Sequence, residues 1–181
     1  MLAAVLGAAV DVFIGLVLLG AALAKVVHWT AFRSVVGSYR VLPEALVIPF
    51  AWLLPPLEGA TGSAVLLHLA FPWAPRIAAA LLVLFAIAMA LNLLRGRTHI
   101  DCGCFQSALR QPLEWRLVAR NLALAALAVW LSAEGVHVEW TRDVAVAALP
   151  AGVVFYGLYL ALNTVWALDD SARAAFPRLR S

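Results

Sequence analysis

Charge is scarce in this 181-residue chain: Asp, Glu, Lys and Arg together make up 13%, against 65% hydrophobic residues. Soluble domains carry about a quarter charged residues and roughly half apolar ones. A fold this apolar could not cover its surface in water. Cysteine is scarce too. Two cysteines exclude a disulfide-rich secreted scaffold. Residues 1–24 hold no basic side chain, and their apolar run is too long for the core of a cleavable leader, so this stretch is expected to stay as a membrane helix. The net charge of +3 comes without a basic stripe interleaved with aromatics, so nucleic acid is not an expected partner.

What is present is a series of long apolar runs. A membrane span needs about 20 mostly apolar residues. Five stretches qualify, roughly 2–27, 45–69, 74–94, 117–133 and 144–168. The expected fold is one all-α, polytopic membrane domain over residues 1–181, seated in the lipid bilayer. Between the first two runs, residues 29–40 place Trp29, Phe32, Val35, Val36 and Tyr39 at helical spacing, which predicts a short helix lying in the interface.

Basic residues set the expected orientation. Lys25, Arg33 and Arg40 follow the first run; Arg95, Arg97, Arg110, Arg116 and Arg120 follow the third; Arg173, Arg178 and Arg180 lie in the tail. Only Arg76 and Arg142 fall on the other side. This asymmetry predicts a multi-pass membrane protein with its N-terminus outside and its C-terminus inside.

Carboxylates inside apolar runs are costly and must be protonated, paired or hydrated. Asp11 and Glu58 are two such groups. At about 1.5 Å per residue, each falls roughly 14 to 15 Å from the outer end of its helix, so the sequence predicts an Asp11–Glu58 pair that shares a proton or is bridged by water. Gly59, Gly62 and Ser63 offer a small-residue face for close helix packing. Pro55 and Pro56 remove backbone donors just before Glu58. Asn92 and Asn121 are expected to bond between helices, and His68 and Arg76 to reach the outer boundary.

The segment His99-Ile100-Asp101-Cys102-Gly103-Cys104-Phe105 carries the chemistry. Cysteines one residue apart close a disulfide only through a tight turn, which Gly103 permits. Such a ring adds little stability and suits exchange. Nearby Arg95, Arg97 and Arg110 would favour a thiolate, and Asp101 could orient His99. The candidate catalytic set is Cys102 and Cys104, with His99, Asp101 and Glu58 in support. The same atoms allow a second reading, in which Cys102, Cys104 and His99 hold Cu(I) or Zn(II); a structural zinc would also need His28 or His137. A third is that the cysteines are inert. No haem or quinone signature is visible, and no cofactor is expected.

These landmarks resemble a known family. The run Asp101-Cys102-Gly103-Cys104-Phe105 after the third span is similar to the signature of MauE, a methylamine-utilisation membrane protein family in the DoxX-like group. Ala24-Lys25, Tyr39-Arg40-Val41-Leu42-Pro43, Leu54-Pro55-Pro56-Leu57-Glu58-Gly59 and Arg120-Asn121-Leu122 agree in order and spacing, over roughly residues 8–132. The resemblance implies a DoxX-like four-helix bundle plus a fifth transmembrane helix. It also implies a role in maturation, processing or transport of the small (beta) subunit of methylamine dehydrogenase, a periplasmic, disulfide-rich protein. As a thiol–disulfide oxidoreductase, the chain would exchange electrons with a MauD-like, thioredoxin-fold partner. The alternative is a membrane chaperone or metal-delivery factor using the same cysteines. The basic residues put the cysteine segment on the cytoplasmic side, whereas the implied client is periplasmic. Either the cysteines reach both faces by rearrangement, or the loop folds back into the bundle.

Overall fold

The computed structural model describes residues 2–98, 100, 112–133 and 140–175. Among them are six helices and no β-strand element: α1 (Leu2–Val27), α2 (Trp29–Tyr39), α3 (Glu44–Leu66), α4 (Trp73–Leu94), α5 (Trp115–Leu131) and α6 (Arg142–Ala175). With no water in the bilayer core, each span must satisfy its own backbone, and a helix does so. The short helix expected over residues 29–40 is α2, which buries Phe32 and stacks Trp29 on Trp52 of α3 at a centroid distance of 4.4 Å.

Polarity runs inside out. Glu58, Asp11 and Asn92 are 0%, 2% and 0% exposed, while Val146, Leu158 and Trp52 are 69%, 63% and 65% exposed. In water the outward leucines and valines would be a liability; in lipid they are the solvated face. α1, α4 and residues Arg142–Asp169 of α6 are each long and apolar enough to cross a bilayer. α5 has 17 residues, and α3 holds Glu44, Glu58 and three prolines. The chain is an all-α membrane protein.

α1 is the central helix, packing on α3 and α6 and touching α5; α4 pairs with α5 and flanks α3. Small residues allow the close approaches. A Cβ on Gly62 would lie 2.9 Å from Gly15 O, one on Gly15 would lie 2.9 Å from Leu66 Cβ, and one on Gly152 would lie 2.5 Å from Val12 Cβ. The small-residue face read from Gly59, Gly62 and Ser63 therefore meets α1 chiefly through Gly62.

This register corrects the expected Asp11–Glu58 pair. Gly15 lies opposite Gly62 and Leu66, so α1 runs well past the end of α3. Distances counted from helix ends assumed that the two helices stop at one level. Asp11 meets His68 instead, and Glu58 meets Lys25. Gly59, next to Glu58, meets Ala22, so the two carboxylates are held about ten residues, roughly 15 Å, apart along α1.

Two helix ends share one cap. After α4, Gly96 N–H donates to Leu93 O and Arg97 N–H to Asn92 O, with Gly96 at φ 72°. This is the paired C-terminal bonding that places a left-handed residue, usually glycine, just past the helix. After α3, His68 N–H donates to Val65 O and Leu69 N–H to Ala64 O, with His68 at φ 53°. Histidine holds the glycine position there.

Candidate functional site

Lys25 lies in the last turn of α1, where a cation suits the helix dipole. Its Nζ donates to both Glu58 oxygens at 2.8 Å and to Ala21 O at 3.4 Å. The ammonium also lies 5.6 Å from the Phe32 ring centroid and 5.5 Å from that of Phe85. Four helices therefore enclose one charge: α1 supplies it, α3 the carboxylate, and α2 and α4 the aromatic faces. Both side chains are almost completely buried. A buried pair repays its desolvation only when its remaining hydrogen-bonding groups are satisfied, as Lys25's are here.

The pair borders a cavity of about 180 Å³ walled by all six helices. Val17, Leu18, Leu54, Leu82 and Leu124 form part of its apolar wall; Lys25, Glu58, Arg120, Asn121, Tyr39 and Tyr159 contribute polar groups. Arg120 is oriented from two sides: its Nη1 donates to Asn163 Oδ1 of α6, and its guanidinium lies 5.7 Å from the Tyr159 ring. Leu84, halfway along α4, and Val41 line the cavity and are 44% and 42% exposed, so it opens sideways.

The cavity shares its wall with the base of the cysteine segment. Met89 lines the cavity and packs in a cluster with Ile100, Leu113 and Leu117, against which Tyr39 also packs. Leu113 N–H donates to Thr98 O at 3.1 Å and to Ile100 O at 3.0 Å. These two bonds cinch the chain where it leaves α4 and where it enters α5. Arg97, beside this neck, has a buried Nη1 with no hydrogen-bond partner among the described residues. Cys102, Cys104, His99 and Asp101 lie outside the described residues. Of the candidate set, Glu58 is described, and its partner is Lys25.

The sequence reading takes Lys25 as a topology signal and, with Ala24, as a family landmark, and does not pair it with Glu58. The overlooked clue was its sign: a lysine one turn inside an apolar run, with a glutamate in the next run. His68, assigned to the boundary, is the partner of Asp11, with Nδ1 3.1 Å from Oδ2 and its ring stacked on Phe71. Arg76 lies over Trp73. Among the described residues, Asn92 and Asn121 bond within their own helices: each donates from Nδ2 to the carbonyl four residues back, Ala88 and Leu117. Nothing in the sequence pointed to Asn163 as the partner of Arg120.

Comparison with known proteins follows the same landmarks. The family profile "Methylamine utilisation protein MauE" matches residues 3–134, from α1 through α5 with the cysteine segment included. The chain belongs to the MauE family. Three similar relatives carry the name methylamine utilization protein MauE. That of Paracoccus denitrificans is 48% identical over 122 residues, 67% of this chain and 65% of the relative, so the aligned stretch is just under two thirds of that protein. The Methylorubrum extorquens protein is 42% identical over 141 residues, covering 78% of this chain and 72% of the relative. The Methylophilus methylotrophus protein is 38% identical over 159 residues, covering 84% and 82%. No solved structure matches the chain. MauE membership ties this membrane protein to methylamine utilisation; α6 lies beyond the profile match.

Proposed function

We propose that this MauE-family protein supports maturation, processing or transport of the methylamine dehydrogenase beta subunit by thiol–disulfide electron transfer through Cys102 and Cys104. The observation that carries the reading is the Cys102-Gly103-Cys104 motif within the family match, on a segment whose two ends are bonded together through Leu113. The described ends of that segment, Thr98, Ile100 and Leu113, are thereby held together as a fixed base. Arg95 and Arg97 stand at that base, and nearby cationic side chains favour the thiolate.

The exchange balances as follows. A thiolate of a reduced thioredoxin-fold partner attacks one sulfur of the Cys102–Cys104 disulfide and displaces the other as a thiolate. The partner's second thiolate then attacks the mixed disulfide. The partner leaves oxidised, and Cys102 and Cys104 are left as a dithiol carrying two electrons more than before. In reverse, the same steps reduce the partner.

The clustering of basic residues supports an orientation in the cytoplasmic membrane with the N-terminus periplasmic. Lys25, Arg40, Arg95, Arg97 and Arg120 gather at one end of the bundle, where α1 and α4 finish and α5 begins. Arg76 lies at the other end, beside the α3–α4 turn. A membrane-impermeant maleimide is expected to label Cys102 and Cys104 in inverted vesicles and not in intact cells; labelling from the periplasm alone would reverse the orientation.

The mechanism is tested by trapping. Cys102→Ser or Cys104→Ser should accumulate a mixed disulfide with a thioredoxin-fold protein, and the double variant should stop beta-subunit accumulation. Normal beta-subunit accumulation in the double variant would end the redox reading. Bound metal with two persistently reduced thiols would favour a metal-binding assembly factor instead.

A further inference from the structure

We infer that the cavity beside Lys25 and Glu58 is a binding site for the ring of a lipid-soluble quinone, which takes up the electron pair released at Cys102 and Cys104. The inference rests on the proposed thiol chemistry for its second half only; the binding site stands on the cavity itself.

Three observations point to this occupant. The first is access. Leu84, exposed in the middle of a helix long and apolar enough to span a bilayer, and Val41, exposed just past the end of α2, both line the cavity, so it opens toward the lipid-facing side of the bundle. The second is the lining. Apolar side chains form most of the wall, while Arg120, Asn121 and the tyrosines add polar groups beside the Lys25–Glu58 pair, which suits a flat apolar ring bearing oxygen acceptors. An alkyl chain has no use for these groups, and a phosphate would face the Glu58 carboxylate. The third is location. Met89 and Tyr39 line the cavity and also pack in the cluster holding Ile100 and Leu113, at the base of the cysteine segment. No local motif marks such a site, because the cavity arises from the packing of six helices.

The stoichiometry matches. A dithiol becomes a disulfide by losing two electrons and two protons. A quinone becomes a hydroquinone by gaining two of each, one proton on each ring oxygen. No further oxidant is required, and the hydroquinone leaves by the lateral mouth.

The test uses the full-length protein purified from membranes in mild detergent. Solvent extraction is expected to release near-stoichiometric quinone, and titration with a short-chain ubiquinone should give saturable binding. The Cys102→Ser/Cys104→Ser double variant should bind it unchanged, which separates the cavity from the thiols. Ala88→Phe, which fills the cavity from α4 without touching a polar group, should weaken binding at least tenfold with helicity and thermal midpoint preserved. Should Ala88→Phe fail to fold, Ala21→Leu probes the opposite wall with the same expected loss. In the cysteine-intact protein, a dithiol donor should convert the bound ubiquinone to ubiquinol. Recovery of phospholipid alone, or ubiquinone affinity indifferent to the cavity-filling variant that folds, would overturn the site. Tight binding with no ubiquinol formed would overturn the electron-transfer half.

Discussion

Lys25 donates to a carboxylate that is wholly removed from solvent, and its other sides face aromatic rings. Breaking such a pair strands a charge, at a cost of about 3–5 kcal/mol. Lys25→Met alone should therefore lower the thermal midpoint in detergent sharply. Lys25→Met with Glu58→Leu should recover most of the loss, because a packed apolar pair carries no uncompensated charge. An equal drop in the double variant would show that the lost stability comes from packing. His68 makes a finer case. Its left-handed backbone costs roughly 1 kcal/mol relative to glycine, yet its imidazole partners buried Asp11. His68→Gly is expected to destabilise the parent and to stabilise an Asp11→Leu background. That reversal of sign, read from thermal midpoints of the four proteins, distinguishes a side-chain role from a backbone one. Lys25 and Glu58 were each visible in the sequence as charges in apolar runs. Their pairing was not, because helix register is fixed by the Gly15–Gly62 crossing and not by the run ends.

At the scale of elements, glycine decides which helices touch. A Cβ added to Gly152 would fall 2.5 Å from Val12 Cβ, a distance no packed pair tolerates. Gly152→Ala should cost about 1–3 kcal/mol through overpacking, and Val12→Ala should restore most of it by vacating the space. If Val12→Ala gives no rescue in thermal unfolding, α6 does not dock on α1 in this register. Helix positions were legible from the apolar runs, since length and hydropathy mark long apolar helices directly. α5 begins at Trp115, slightly before its apolar run, because the neck at Leu113 and the extended Glu114 define where the helix starts. Pro49, Pro55 and Pro56 lie within α3 without ending it. Sequence marks prolines as interruptions, but neighbouring helices can support the backbone groups they free.

At the scale of the whole molecule, the buried Lys25–Glu58 and His68–Asp11 pairs sit toward opposite ends of the α1–α3 contact, with the glycine crossing between them. The cavity, the basic cluster and the neck of the cysteine segment all gather at the Lys25 end. This convergence was only partly legible. The basic cluster could be read by counting arginines, and the cysteine motif was evident from residue order. The cavity could not be read, because it is space left between Val17, Leu54, Leu82 and Leu124, residues that look like ordinary lipid-facing or core side chains in any one helix.

The Lys25–Glu58 pair also has a consequence for biogenesis. Lys25 precedes Glu58 by 33 residues, so the ribosome releases the cation well before its counter-ion. Until α3 enters the bilayer, the ammonium must stay hydrated at the headgroups, as lysines near helix ends do by extending toward the interface. α1 thus begins its life shallower than it ends, and arrival of Glu58 draws it inward. A nascent chain arrested before residue 58 should hold its first helix closer to the membrane face at its Lys25 end than the finished protein does.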